Sequence, residues 1–390
     1  MAFNFFANPH LHFGPGHINR LPELITFHGN TLLLITGARS LQKSDHWPRV
    51  MNALKKKSIR VYQAIVETEP SPSMIDEIVV KYRDQNIDVI AAIGGGSVMD
   101  AGKAVSAMME KKESIIEYLE GVGNRSHDGK KIPFIAVPTT SGTGSEATKN
   151  AVISQLGKNG FKKSLRHDNF VPDIAIVDPE LTLDCPPDIT AACGMDALTQ
   201  LLESLVSTNS SPMTDSLALG ALEILGDALI TATTKHPHDM GTRTKISYAS
   251  YISGLTLANA GLGVVHGFAS VIGSVFNIPH GVICGTLLSE VTRHNIESLI
   301  SLDPNGPAIK KYARASRLLS PSPVSKNHEE SSRHLIKILA QWTDQLKMPG
   351  LGSYGVTLED IDTIIGSTGQ KNNPIRLSAK QLSKILQDRL

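Results

Sequence analysis

The chain has 390 residues, 41% of them hydrophobic and 19% charged, a globular composition that excludes wholesale disorder and has room for two domains. Lys plus Arg is 38 against 37 for Asp plus Glu, a formal net charge of +1, which leaves no electrostatic footprint for nucleic acid or an anionic membrane. No run approaches the roughly 18 apolar residues of a membrane-spanning helix. The opening Met1–Phe6 stretch lacks a secretory layout, and three cysteines, Cys185, Cys193 and Cys284, are too few for a disulfide framework, so a cytoplasmic location is expected.

In chain order, strands are predicted at Thr31–Thr36, Ile59–Ile65, Val89–Ile93, Phe134–Val137 and Ile174–Val177. These are continuous apolar runs, the mark of strands buried on both faces. A helix is predicted over Ser73–Gln85, where Ile75, Ile78, Val79 and Tyr82 recur at helical spacing. Such alternation of strand and helix argues for parallel βαβ units in an open α/β sheet. Cys185-Pro186-Pro187 marks a boundary, because paired prolines block helix continuation. Beyond it Leu217, Ala221, Ile224 and Ala228 follow a helical stripe, and 331–346 and 377–390 read as amphipathic helices. The expectation is an α/β domain over 1–183 and an all-helical domain over 184–390. Segments 121–131 and 320–332 read as surface loops.

Three groups of residues could carry chemistry. Gly94-Gly95-Gly96-Ser97 lies between a predicted strand and a predicted helix, where open backbone N–H groups and the helix dipole suit a phosphate. Pro138-Thr139-Thr140-Ser141-Gly142-Thr143-Gly144-Ser145-Glu146 also follows a strand. Its hydroxyls could bond ribose, phosphate or an amide, or it could be a solvated loop. Asp196 and Gln200 share one helix face, and His266 and His280 follow downstream. A carboxylate and two imidazoles suit a transition metal, yet the spacing of the two histidines matches no local metal motif, and taken alone they read as satisfied core residues. Cys193 and Cys284 read as small core residues.

Together, GGGSVMDAGK at 94–103, PTTSGTGSE at 138–146, PDIAIVDPELT at 172–182, GMDALTQ at 194–200 and the pair His266/His280 resemble the iron-containing (group III) alcohol dehydrogenases. They stand in that family's order, and the likeness covers essentially the whole chain. It implies a mostly parallel dinucleotide-binding sheet, a helical second domain in the dehydroquinate synthase-like architecture, and an active site in a cleft between them. By position it assigns Gly95, Gly96 and Ser97 to a pyrophosphate cradle and Asp100 to a carboxylate on the nicotinamide or substrate side. It also assigns Thr139, Thr140, Thr143, Ser145, Lys163 and Leu181 to the cofactor's surroundings. Asp196, Gln200, His266 and His280 become the ligands of one divalent metal, Fe²⁺ or Zn²⁺.

Two departures shape the expectation. Gln200 stands where the family has a third histidine, and Ser270 where it has a histidine proposed as a proton relay. NAD-preferring members often place an Asp at the end of the strand at 31–36. This chain has Gly37 there, followed by Arg39 and Ser40, which could hold a 2′-phosphate, so NADP(H) is favoured over NAD(H). The resemblance therefore implies a metal-assisted alcohol dehydrogenase or aldehyde reductase, homodimeric, that interconverts a small-molecule primary or secondary alcohol and its aldehyde or ketone. The alternatives are a metal-free reductase of the maleylacetate reductase type, supported by Gln200 and Ser270, a lyase of the dehydroquinate synthase type, which the PTTSGTGSE loop opposes, and a non-catalytic nucleotide binder.

Overall fold

The computed structural model describes residues 2–6, 8–155 and 160–390; Met1, where the segment read for a signal begins, lies outside them. The chain forms two compact units, one of residues 6–140 and 144–184, the other of residues 1–5, 141–143 and 185–390.

The first unit is built on a parallel sheet. Its strands are β1 (His10–Phe13), β2 (Thr31–Gly37), β3 (Arg60–Val66), β4 (Val89–Gly94) and β5 (Phe134–Pro138). A hairpin follows, β6 (Asn150–Gln155) and β7 (Phe161–Arg166), and then β8 (Ile174–Val177). The sheet order is β1-β8-β5-β4-β2-β3, with every neighbouring pair parallel. The helices are α1 (Leu21–His28), α2 (Ser40–Lys43), α3 (His46–Lys56), α4 (Pro72–Tyr82) and α5 (Gly96–Met108). Alternate residues of each strand feed two separate cores. Leu33, Ile35, Ile90, Ala92, Phe134 and Ala136 pack with α4 and α5, while Leu32, Leu34, Val89, Ala91, Ile93, Ile135 and Val137 pack with α1 and α3. That two-sided burial is why the strands read as unbroken apolar runs.

The chain leaves β2 for β3 on one side and crosses to β4 on the other. The point where strand order reverses therefore lies between β2 and β4, at whose carboxyl ends an open α/β sheet binds ligands. Gly37 and Gly94 sit at those two ends, next to the paired residues Thr36 and Ile93.

The second unit is helical among its described residues. Its helices are α6 (Pro187–Val206), α7 (Pro212–Leu225), α8 (Ala228–Thr234), α9 (Met240–Ala260), α10 (Val264–Val275), α11 (His280–Leu302), α12 (Pro307–Leu319), α13 (His328–Gln345), α14 (Ile361–Ser367) and α15 (Ala379–Gln387). The stripe predicted through Ile224 and Ala228 is interrupted at Gly226, whose φ of 43° is left-handed, so α7 and α8 separate and Ile224 is exposed. The loop predicted over 320–332 is shorter than expected, because Asn327 accepts from Glu330 N and starts α13 at His328. By length and composition the stretch 212–234 would reach across a bilayer. Its Ala218, Leu219, Ala221, Leu222 and Leu225 on α7 and Ala228, Leu229 and Ala232 on α8 are buried within the unit, so the stretch is two packed core helices.

Candidate metal centre and cofactor loops

Helix α6 supplies Asp196, buried to 1% exposure. Helix α10 supplies His266, and α11 opens with His280. Close packing brings these helices together. A Cβ on Gly281 would lie 2.3 Å from the Ala192 carbonyl, and one on Gly285 would lie 2.9 Å from Met195 Cβ. Only glycines one turn apart let α11 lie this close to α6. Asp196 Oδ1 lies 3.2 Å from His266 Nε2 and 3.7 Å from His280 Nε2. Burial alone would raise the Asp196 carboxyl, and the two imidazoles more than reverse that, so it sits below the ordinary carboxylate range.

Two further residues complete the cluster. Glu203, two turns after Asp196 on the same face of α6, holds His266 Nδ1 at 2.7 Å and accepts from Val265 N at 2.7 Å. It thereby satisfies the first turn of α10 and turns His266 Nε2 toward Asp196, the carboxylate–histidine arrangement that orients metal ligands. Cys284, one turn after His280, places its sulfur 3.7 Å from His280 Nε2 and 3.8 Å from His266 Nε2. The ligand atoms of Asp196, His266, His280 and Cys284 all lie within 4.8 Å of one another. Burial pushes the Cys284 thiol up to about 12, with His266 pulling the other way. Three acceptor-rich groups and a sulfur aimed at one point make a donor set that fits a divalent transition metal. Gln200, on α6, is buried, and its Oε1 accepts from the Ser253 hydroxyl at 2.6 Å. Ser270 is exposed on α10.

The residues expected at the cofactor fall at several places, all but Thr143 in the α/β unit. Gly95 is the N-cap of α5, with no side-chain cap, and Gly96 and Ser97 form the first turn, where amides have no intrahelical partner. A Cβ on Gly94 would sit 2.6 Å from Val98, so the turn requires glycine there. Thr139 N donates to Gly94 O at 2.8 Å, tying the hydroxyl-rich segment that holds Thr139 and Thr140 to the glycine turn. This glycine cradle fits a diphosphate. Gly37 ends β2, and Arg39 and Ser40 are exposed just beyond it. Lys163 is exposed on β7, and Leu181 is half-buried against the core beneath α1 and α3. Thr143 belongs to the helical unit.

Asp100 and Ser145 belong to a buried polar knot that sequence reading did not anticipate. Ser145 Oγ donates to Asp100 Oδ1 at 2.5 Å, and Val152 N donates to Asp100 Oδ2 at 3.0 Å. Lys103, 1% exposed, reaches Ser145 O, Ser145 Oγ, Thr148 Oγ1 and Asn150 O at 2.7–3.1 Å. Burial pulls the Lys103 ammonium down to about 8, with Asp100 and Glu146 opposing. It pushes the neighbouring Glu146 carboxyl up to about 7.

Comparison with known proteins agrees with this geometry. Residues 8–179 match the iron-containing alcohol dehydrogenase model, and residues 190–390 match the C-terminal model of the Fe-containing alcohol dehydrogenase family. The chain belongs to the iron-containing alcohol dehydrogenase family. It is an NAD(P)-dependent alcohol dehydrogenase that interconverts an alcohol and its carbonyl counterpart with the help of a divalent metal. Among its relatives, an NADPH-dependent butanol dehydrogenase of Clostridium saccharobutylicum is 31% identical over 97% of this chain and 95% of its own. Alcohol dehydrogenase 4 of Saccharomyces cerevisiae is 30% identical over 98% and 97%. Among solved structures, an alcohol dehydrogenase from Oenococcus oeni superposes with a TM-score of 0.87 at 29% identity over all of both chains.

Proposed function

We propose that the enzyme reduces a small aldehyde, and oxidises the corresponding alcohol, with NADP(H) preferred over NAD(H). The observation that carries the reading is the convergence of Asp196, His266 and His280 on one point, with Glu203 fixing the tautomer of His266. When bound there, a divalent metal supplies a Lewis acid for the substrate oxygen, and the nicotinamide supplies or accepts the hydride. Asp196 contributes the negative charge of the site, and the two imidazoles contribute neutral nitrogen donors. Glu203 keeps the proton of His266 on Nδ1, so Nε2 stays available. Gly95, Gly96 and Ser97 present amides to the diphosphate. Thr139, Thr140, Thr143 and Ser145 serve the cofactor's polar groups, with Lys163 and Leu181 toward its outer part. Asp100 acts by holding Ser145 in place.

The coenzyme preference rests on the end of β2. Gly37 offers no carboxylate to a ribose, while exposed Arg39 and Ser40 provide a cation and a hydroxyl for a 2′-phosphate. The butanol dehydrogenase relative, NADPH-dependent by name, agrees, whereas an NAD-dependent methanol dehydrogenase of Bacillus methanolicus, 27% identical, shows that the family accommodates both. The enzyme is read as a cytoplasmic homodimer, with sedimentation as the check on its state. The functional test is initial rates with NADPH and NADH against a panel of short aldehydes, before and after chelation and metal return. NADPH-linked reduction that is abolished by chelation and restored by Zn²⁺ or Fe²⁺ supports the reading. Full activity in chelated protein refutes its metal dependence.

A further inference from the structure

The geometry points to Cys284 as a fourth ligand of the metal, a thiolate donor that takes the place left by the neutral Gln200. The inference rests on the metal reading of Asp196, His266 and His280. Two observations carry it. The first is the set of distances. A tetrahedral ion with bonds of about 2.3 Å to sulfur and about 2.1 Å to nitrogen or oxygen has edges of roughly 3.5 Å between sulfur and nitrogen and roughly 3.4 Å between nitrogen and oxygen. Here the sulfur–nitrogen separations are 3.7 and 3.8 Å and the nitrogen–oxygen separations 3.2 and 3.7 Å, each within about 0.3 Å of those edges. Four of the six edges thus have the size of a zinc site's, and all four donor atoms, from three helices, lie within 4.8 Å of one another.

The second observation is the engagement of Gln200. Its carbonyl oxygen, the only atom of the amide suited to a metal, accepts the Ser253 hydroxyl at 2.6 Å, which takes up one of its two lone pairs. Helix geometry explains why Cys284 can replace it. His280 and Cys284 are one turn apart on α11, so both side chains leave the same face. The Gly281 and Gly285 contacts press that face against α6 near Asp196. On coordination the thiol proton leaves to solvent, since a coordinating thiol is deprotonated outright. A divalent ion held by one carboxylate, one thiolate and two neutral imidazoles has a site charge of zero. Thiolate ligands favour zinc over the harder divalent ions, so zinc is the ion this donor set suits. Substrate would then enter as a fifth ligand, on the side where His280 is 29% exposed.

The test is cobalt substitution of the full-length protein. Co²⁺ loaded into the chelated protein is expected to give visible ligand-field bands together with a near-ultraviolet thiolate-to-cobalt charge-transfer band. Cys284→Ser should lose the charge-transfer band and keep the ligand-field bands, while Cys185→Ser and Gln200→Leu keep both. Zinc affinity, from competition with a chromophoric chelator, should fall at least about tenfold in Cys284→Ser, as ligand-level losses do, and no more than about twofold in Gln200→Leu. Ligand-field bands without charge transfer in the parent protein, or charge transfer surviving in Cys284→Ser, would overturn the thiolate and leave the three-ligand metal site standing. No cobalt uptake at all would overturn both.

Discussion

The two units each bury a knot of polar side chains, and the knots are built to opposite ends. In the α/β unit, Lys103 meets four oxygens at 2.7–3.1 Å, and both carboxylate oxygens of Asp100 are engaged. Donors and acceptors there satisfy one another, which is what a buried polar network must do to hold a fold. In the helical unit, a carboxylate, two imidazoles and a sulfur crowd within 4.8 Å, with nothing cationic of permanent charge among them. That arrangement favours a positive charge at its centre, a protonated imidazole or a bound metal. Burial and polarity do not separate a structural knot from a site; the balance of donors against acceptors does.

The largest effect expected from this contrast is on stability. Lys103→Met should lower the unfolding free energy by about 3–5 kcal/mol, since it strands buried partners, and leave metal affinity unchanged in any fraction that folds. Asp196→Asn should do the reverse. Metal-free stability, followed by urea unfolding, should change by less than about 2 kcal/mol, while metal-dependent turnover drops at least about a hundredfold, the scale at which an electrostatic contribution of this kind is lost. Similar stability losses in both would erase the contrast.

Glu203→Gln sharpens it. The amide can still accept from Val265 N, but it no longer holds His266 as a carboxylate does. Metal affinity should fall about 10–100-fold, with the unfolding midpoint of the metal-free protein nearly unmoved. Arg39→Ala should raise the KM for NADPH about tenfold, the equivalent of roughly 1.4 kcal/mol, and leave the KM for NADH within a factor of two. Equal effects on both coenzymes would remove Arg39 from the 2′-phosphate.

A separate effect concerns pH. Burial holds the Glu146 carboxyl at about 7, above its ordinary value of 4.5. The folded state therefore binds more protons than the unfolded state between those values. The stability it contributes is fully present below pH 4.5 and is lost as pH rises through about 7, a decline of roughly 3 kcal/mol at about 1.4 kcal/mol per unit. Glu146→Gln, neutral throughout, should show a flatter stability profile from pH 5 to 8; an unchanged slope would place the titration elsewhere.

Much of the fold was legible because its causes are local. Strands such as Val89–Ile93 betray two-sided burial by composition alone, and Gly94 to Gly96 mark a strand-to-helix turn in which Gly94 leaves no room for a Cβ. The β6–β7 hairpin was not, since Phe161-Lys162-Lys163-Ser164-Leu165-Arg166 is too polar to read as a strand and places only Leu165 fully in the core. The site was half legible. Asp196, His266 and His280 came from a resemblance, since nothing in their spacing brings α6, α10 and α11 together. Glu203 carried a signal that went unused: it lies seven residues after Asp196, on the same helix face. Cys284 carried a weaker one, four residues after His280, and read as core packing because burial is what a cysteine ordinarily seeks.

The proposed chemistry stands or falls with one metal held in the helical unit on Asp196, His266 and His280. The most direct test is elemental analysis of untagged protein reconstituted anaerobically with Fe²⁺ or Zn²⁺. Close to one ion per chain is expected, lost in His266→Ala and in His280→Ala. Retention of no ion under either condition, or full retention in both variants, would contradict it.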